Sequence, residues 1–476
     1  MKNVKLVVLT IMSIFLLSSF PVSINAEVAE DKFGFIEEEN VEYDLLIITP
    51  CTFYDALQPL KEHKMNYGVR TKIITLSEAY SIGAMGYDNP EKIKLCIELF
   101  HREASIKYVM LVGDYKKMPI RYVYNSEPDP SIPEPCYISE LYYADLYNDT
   151  GVFQTWDEDL DGVYGEWTLD EPSSRDKYID LYPDVYVGRL ACRNIFEVKI
   201  MVDKIIKYES CTYGSDWFNN FVVVAGDTYP SGQYPFDTSG YEGEENTEKA
   251  IENMSAFNPV RLWVSNGNLT GPMDLIRTMN NGCGMMYFEG HAQPRAWATH
   301  EYDSHKFIFV LKNTHMWMLW NFYKLPVVVA ANCHNGQFDV KPSNYIKKIT
   351  GQEFHVGEAA VECWAWRLTS KPFGGAIATI SNTGYGMSKE DKKSMEGAGD
   401  YIDKQFFYVY GNGQSDILGE CWGKAIDRYI DRFPVNWNID DSDEYALDTK
   451  YDLKTSQQYT LFGDPSLKIG GYPPQE

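Results

Sequence analysis

The sequence predicts an α/β fold built on mostly parallel strands, and three observations carry that expectation. Short, continuous apolar runs recur along the chain, as at Leu45–Thr49, Lys72–Leu76 and Tyr108–Val112. Amphipathic stretches of helical length separate them, near Tyr54–His63 and Pro90–Ala104. After an interruption the same rhythm returns through Val185–Arg189, a helix near Ile195–Glu209, and a second series that starts at Phe221–Ala225. Runs without apolar–polar alternation, joined through helices, are what a parallel sheet covered on both faces requires.

The second series continues through a helix near Asn246–Met254, Val260–Val264, a helix near Met273–Asn280, Gly284–Phe288, Val327–Ala331 and Ala376–Ile380. A boundary is expected near Cys211–Trp217, giving two adjacent subdomains: residues 43–211, with an acidic, proline- and tyrosine-rich insertion from Asn125 to Pro183, and residues 212–470. A tail of 471–476 follows. Residues 1–26 read as a secretory signal peptide, with Lys2 and Lys5 before an apolar run from Leu6 to Phe20 and a small residue at Ala26. The stretch 27–42 reads as a short pro-segment or a disordered start. A secreted protein with no membrane anchor in its mature chain is therefore expected, since no later run is long enough to span a bilayer.

A formal charge of −25 argues against a nucleic-acid partner. The 9 cysteines are scattered without a C-x-x-C pair, so neither a zinc site nor a thioredoxin-like motif is indicated. An odd count leaves at least one thiol outside any internal disulfide.

Two strand ends of the second series carry reactive side chains, Met285–His291 and Pro326–Cys333. Catalytic groups of open α/β sheets collect beyond the carboxyl ends of strands, and neighbouring strands would bring the two together. A thiol with a pKa of about 8.5 is mostly protonated at neutral pH, so cysteine catalysis needs an imidazole to take its proton and return it to a leaving amine. His291 and Cys333 suit those roles; a buried structural cysteine and a turn histidine remain the plainer alternative. His334 lies beside Cys333, but on an extended chain it points the opposite way. Backbone N–H groups at Ala292 and at Cys333 are candidates for an oxyanion site.

Several motifs in order resemble the gingipain-like cysteine peptidases, which are related in fold to caspases: Tyr108–Asp114, Asp184–Arg189, Tyr287–His291 with Ala296-Trp297, Ala331–Phe338 and Leu461–Leu467. The resemblance covers roughly residues 43–470 and implies a caspase-like three-layer α/β/α fold. It also implies a cysteine endopeptidase acting on proteins or peptides without a catalytic cofactor, with His291 and Cys333 as the dyad. An auxiliary carboxylate of the family falls closest to Asp227, which would orient His291 or stabilise its cation; a turn cap is the other reading. Cleavage after Arg or Lys is implied, with Glu242 and Glu244 of the acidic run 241–245 as candidate pocket acids and Tyr385 near the pocket wall; a solvated helix start is the other reading for most of that run. Two positions depart from the family pattern: alanine follows the histidine, and Asn332 precedes the cysteine. An inactive binding module that keeps the fold, and a transpeptidase in which an amine replaces water, are the alternatives. The immunoglobulin-like module that follows the gingipain catalytic domain is not found after Leu467.

The run Asp157–Glu166 places carboxylates at alternate positions before a glycine turn, the front half of an EF-hand-type loop. Asp157, Asp159, Asp161, the Val163 carbonyl and Glu166 are the expected calcium ligands, with Thr168 where such loops carry their closing glutamate. A calcium ion there would staple a long insertion whose ordering otherwise costs conformational entropy.

Overall fold

A computed structural model describes residues 42–475 except 126–133, 168–173, 232–239, 331, 353–356, 389–395, 440–442 and 444. The signal-peptide segment, residues 27–41 and Thr168 lie outside the described residues. The strands are β1 (Leu45–Thr49), β2 (Thr71–Thr75), β3 (Tyr108–Val112), β4 (Tyr122–Val123), β5 (Tyr137–Ile138), β6 (Tyr186–Leu190), β7 (Asn220–Ala225) and β8 (Asn258–Trp263). They continue with β9 (Met285–Glu289), β10 (His291–Gln293), β11 (Ala296–His300), β12 (Phe307–Lys312), β13 (Val327–Val329), β14 (Ala378–Asn382) and β15 (Tyr459–Phe462).

Ten strands form one sheet in the order β2-β1-β3-β6-β15-β14-β13-β9-β7-β8. The first five are mutually parallel, as are the last five, and the blocks meet where β14 pairs antiparallel with β15. The boundary expected near residues 211–217 falls between the blocks, which share a sheet. β15, the last strand in sequence, runs with the first block, next to β6.

The strands are apolar on both faces because both faces are covered. Along β9 and β13 the side chains alternate between two cores: Met285, Tyr287, Val327 and Val329 join one, and Met286, Phe288 and Val328 the other. Ile97, Val198, Phe406 and Ile426, from helices Asn89–Ala104, Ile195–Cys211, Ala398–Gly411 and Leu418–Arg432, join the first of these cores. Leu275 and Leu368, from helices Pro272–Asn281 and Trp364–Ser370, join the second. Helix starts follow local chemistry. Asp88 accepts from Glu91 N ahead of Pro90, and Asn194 accepts from the N–H groups of Phe196 (3.0 Å) and Glu197 (3.1 Å).

Three motifs that carried the resemblance are structural pins. Arg189 is fully buried and bidentate on Glu140, at 2.8 Å for each oxygen, and it also donates to the Gly113 and Met118 carbonyls. The segments Tyr108–Asp114 and Asp184–Arg189 are thereby locked together. Asp464, in the terminal motif, meets Lys64 at 2.7 Å, and Lys64 meets Glu209 at 2.7 Å, with all three buried. Replacing Lys64 with methionine strands two carboxylates in the interior. Lys64→Met is expected to destabilise the protein by about 3–5 kcal/mol in equilibrium denaturant unfolding, whereas Arg102→Met, at an exposed helix pair, should change it by under about 1 kcal/mol.

Candidate active site

The register of three parallel strands sets the site. Val329 of β13 lies opposite Tyr287 of β9, and Ala225 of β7 opposite Glu289. Asp227, His291 and the loop that carries Cys333 therefore leave the sheet at one edge. His291 opens β10, which pairs antiparallel with β11, His291 facing Ala298 and Ala292 facing Trp297.

Asn332, the residue that departs from the family pattern, ties the two loops. Its amide donates to the Gly290 carbonyl at 3.0 Å, and its Oδ1 accepts from the buried Trp297 indole at 2.8 Å. Beyond the cysteine, His334 N donates to the Gly384 carbonyl at 2.8 Å and Gly336 N to that of Asn382 at 2.7 Å. A Cβ on Gly336 would lie 2.8 Å from the Asn382 oxygen, so only glycine allows this approach.

The His291 ring is half-buried, and its Nε2 lies 2.7 Å from the Thr228 carbonyl. A carbonyl only accepts, so Nε2 carries the hydrogen and Nδ1 bears the lone pair of the neutral ring. Burial pushes the His291 pKa down to about 4, with His300 adding to the shift. Burial raises the Cys333 thiol, against which the N–H groups of Gly386 and of Cys333 itself favour the thiolate. Gly386 gave no sequence signal; only the fold brings the turn after β14 over the loop after β13.

The chain at His334 is a turn and not the extended strand on which the alternation argument rested. His334 has a left-handed backbone (φ 54°), and its ring is buried 3.3 Å from Glu134. Glu134 also pairs with Lys454 and accepts from Tyr385 N at 3.2 and 3.1 Å. Tyr385 packs edge-on against His334 with ring centroids 4.3 Å apart, so it stands beside the residue next to Cys333. This support under the Cys333 loop, drawn partly from the first block, was not legible in the sequence because its central acid, Glu134, lies far from His334 along the chain.

Asp227 is buried, and its Oδ2 accepts from Asp303 N at 2.7 Å. Its side chain also hydrogen-bonds Glu242, and burial raises its pKa. On this side His291 meets the carbonyl of the next residue, Thr228. Glu242 and Glu244 start helix Glu242–Asn253, and both are buried. Glu244, expected in a specificity pocket, is committed elsewhere: its carboxylate accepts from Ser265 N at 2.9 Å and from the Ser265 hydroxyl, clamping the turn after β8.

The acidic loop differs in part from expectation. The carboxylates of Asp157, Asp159 and Asp176 offer ligand atoms within 4.8 Å of one another. Asp161 and Glu166 turn away from that trio. Asp161 Oδ1 accepts from Val163 N at 2.7 Å, and Glu166 Oε1 accepts from the Ser174 hydroxyl at 2.6 Å. The loop thus closes through Asp176, fifteen positions beyond Asp161, instead of through the local glutamate. Burial, reinforced by Asp157 and Asp159, pushes the Asp176 pKa up to about 7. No two of the nine cysteines are joined.

A sheet of this kind with helices on both faces is the caspase-like α/β/α class. It is shared with the crystal structure of the Arg specific cysteine proteinase gingipain R, at a TM-score of 0.59 and 17% identity over 91% of this chain and 79% of that one. The complex of Porphyromonas gingivalis RgpB pro- and mature domains matches similarly, with a TM-score of 0.58 and 17% identity over 90% of this chain and 79% of that one. Gingipain R2 of P. gingivalis is 21% identical over 91% of this chain and 46% of its own length. Gingipain R1 is 22% identical over 91% of this chain and 34% of its own length. The chain therefore spans less than half the length of these relatives. Residues 38–470 match peptidase family C25, and the chain belongs to that family.

If Asn332 is the clasp between the two loops, Asn332→Ala leaves the buried Trp297 N–H without its acceptor. The variant is expected to lose about 1–3 kcal/mol in thermal or denaturant unfolding, and Asn332→Asp, which keeps that acceptor, should lose less.

Proposed function

We propose that this chain is a secreted cysteine endopeptidase in which Cys333 attacks the substrate carbonyl and His291 handles the proton. The observation that carries the reading is the register that sends both loops from adjacent parallel strands to one edge, together with the two N–H groups on the thiol. His291 is neutral at ordinary pH and Cys333 is a thiol, so the resting pair is uncharged. As Sγ forms its bond to the carbonyl carbon, its proton passes to Nδ1, and the Thr228 carbonyl steadies the imidazolium through Nε2–H. The carbonyl oxygen takes the electron pair, with the N–H groups of Ala292 and Cys333 as its proposed donors. The imidazolium then protonates the leaving amine, and water cleaves the thioester by the reverse sequence. No catalytic cofactor enters this chemistry.

Cleavage after Arg or Lys is the finer part of the proposal. It is supported by the acidic start of helix Glu242–Asn253, where Glu242 is buried beside Asp227, and by Tyr385 close to Cys333. Among the described residues no helix is long and apolar enough to cross a membrane. Export is supported by the character of residues 1–26.

The proposal includes a structural calcium ion held by Asp157, Asp159 and Asp176. Their donor atoms are all carboxylate oxygens, as a hard cation prefers, and the gathering of three acids raises Asp176. A carboxyl whose folded pKa lies above its unfolded value contributes stability at low pH. In the metal-free chain that contribution is lost as pH rises from about 4 towards 7, and a cation would reverse the loss. Chelation is therefore expected to lower the unfolding temperature more at pH 7.5 than at pH 5.5, and Asp176→Asn should abolish the difference. A chelator without effect at either pH would remove calcium from the account.

Fluorogenic peptides that differ only at the residue before the scissile bond test the reaction. Wild type should turn over the Arg or Lys members, while Cys333→Ala should fold and lose at least about 1,000-fold in kcat/KM, with His291→Ala close to it. Silence across the panel, with no alkylation of Cys333 by a peptidyl electrophile, would leave an inactive binding module. Transfer to an added amine in place of hydrolysis would identify a transpeptidase.

A further inference from the structure

We propose that His300 is a positioning residue that governs whether His291 can carry a positive charge. The inference rests on His291 being the base of a cysteine peptidase, and it adds a residue that neither the motifs nor the dyad supplies.

His300 ends β11 and is fully buried. Its ring meets that of His291 edge to face, with centroids 5.2 Å apart, and lies against Phe307 of β12 at 4.3 Å. Its backbone is latched to Asp227 by reciprocal N–H to carbonyl hydrogen bonds of 3.2 Å. Among the described residues neither ring nitrogen makes a hydrogen bond of ordinary geometry, and the Asp227 carbonyl is the acceptor that bears on the ring. A buried imidazole is costly to leave in that state, so simple packing would be better served by phenylalanine.

The groups that face His300 define its behaviour. From the end of β7, the Asp227 carbonyl and carboxylate favour a His300 cation; His305, from the loop before β12, opposes one. Glu242 and the Asp303 N–H both bond the Asp227 carboxylate and temper it. The Asp303 carboxylate itself is turned to Ser231 N at 3.0 Å. From β10 comes His291. Asp227 thus acts on His300, and His300 touches the base, which places the second histidine between the acid and the dyad.

Two imidazolium rings at this separation repel strongly in a partly buried site, enough to disfavour the second charge on the order of a hundredfold. With His300 neutral, His291 can accept the thiol proton. Once His300 is protonated, the imidazolium that His291 must form during attack is suppressed. Burial lowers both rings, and the lowering is partly offset at His291 by the Thr228 carbonyl and at His300 by Asp227. As pH falls, the two rings compete for one charge, and a proton held by His300 is denied to His291.

The test compares the full chain as wild type, His300→Phe and His300→Gln. The pH dependence of peptide turnover and of Cys333 alkylation by iodoacetamide are measured side by side. Both variants should keep their acid limbs down to lower pH, by as much as about two units, the hundredfold above. Asp227→Asn should move the limb in the same direction by weakening the His300 cation. A limb unmoved in folded His300 variants overturns the proposal. If neither variant folds, side-chain NMR of the wild-type histidines decides: a His291 signal that follows the titration of His300 supports it, and independent titrations overturn it. The NMR readout stands even if wild type proves inactive, so failure of the peptidase reading and failure of this one are distinct results.

Discussion

The register between β9 and β13 is the constraint on which everything at the catalytic edge depends. Because Val329 pairs with Tyr287, the chain leaves both strands at the same level. A shift of one residue would turn every side chain of β13 to the opposite core. The alternating burial of Met285, Tyr287, Val327 and Val329 against Met286, Phe288 and Val328 makes such a shift expensive, since each would exchange a fitted place for a foreign one. Packing on both faces of the sheet thus fixes a distance between two loops that the loops themselves could not fix. Asn332 completes the arrangement, holding the Gly290 carbonyl with one end of its amide and Trp297 with the other.

Much of this was legible in the chain. Nine strands of the large sheet correspond to apolar runs that needed no alternation to be recognised, because parallel strands buried on both faces carry none. The tenth, β15, lay in the motif Leu461–Leu467 but not in the rhythm, and its polarity could not be read: strand direction is decided by which neighbours have unfilled edges. The hairpin of β10, β11 and β12 was also missed. Its sequence runs through His291, Trp297 and His300, where functional and aromatic residues disturb the regular pattern.

The site divides along the same line. His291 and Cys333 follow from strand ends and reactive side chains, which are local facts. Gly386, Glu134, Lys454 and Asp176 do not, since each acts through a partner distant in sequence. The expected calcium loop illustrates the limit. Asp157 and Asp159 lie together, but the third carboxylate beside them comes from a later turn, while Glu166 accepts from Ser174. Glu244 is a parallel case, in which a charged residue in an acidic run serves as a hydrogen-bond clamp on the next turn of backbone.

The placement of β15 bears on how the molecule comes into being. A strand drawn from positions 459–462 occupies the middle of the sheet and supplies, among the described residues, the seam between two blocks of opposite polarity. During synthesis each block can gather its own helices early, but β6 and β14 must wait with open edges until residues 459–462 have emerged. Such long-range closure is slow, and an unpaired strand edge invites the wrong neighbour. The nascent protein therefore exposes two strand edges until residues 459–462 arrive, and the edge that carries His291 and Cys333 gains its final mechanical support only at that moment.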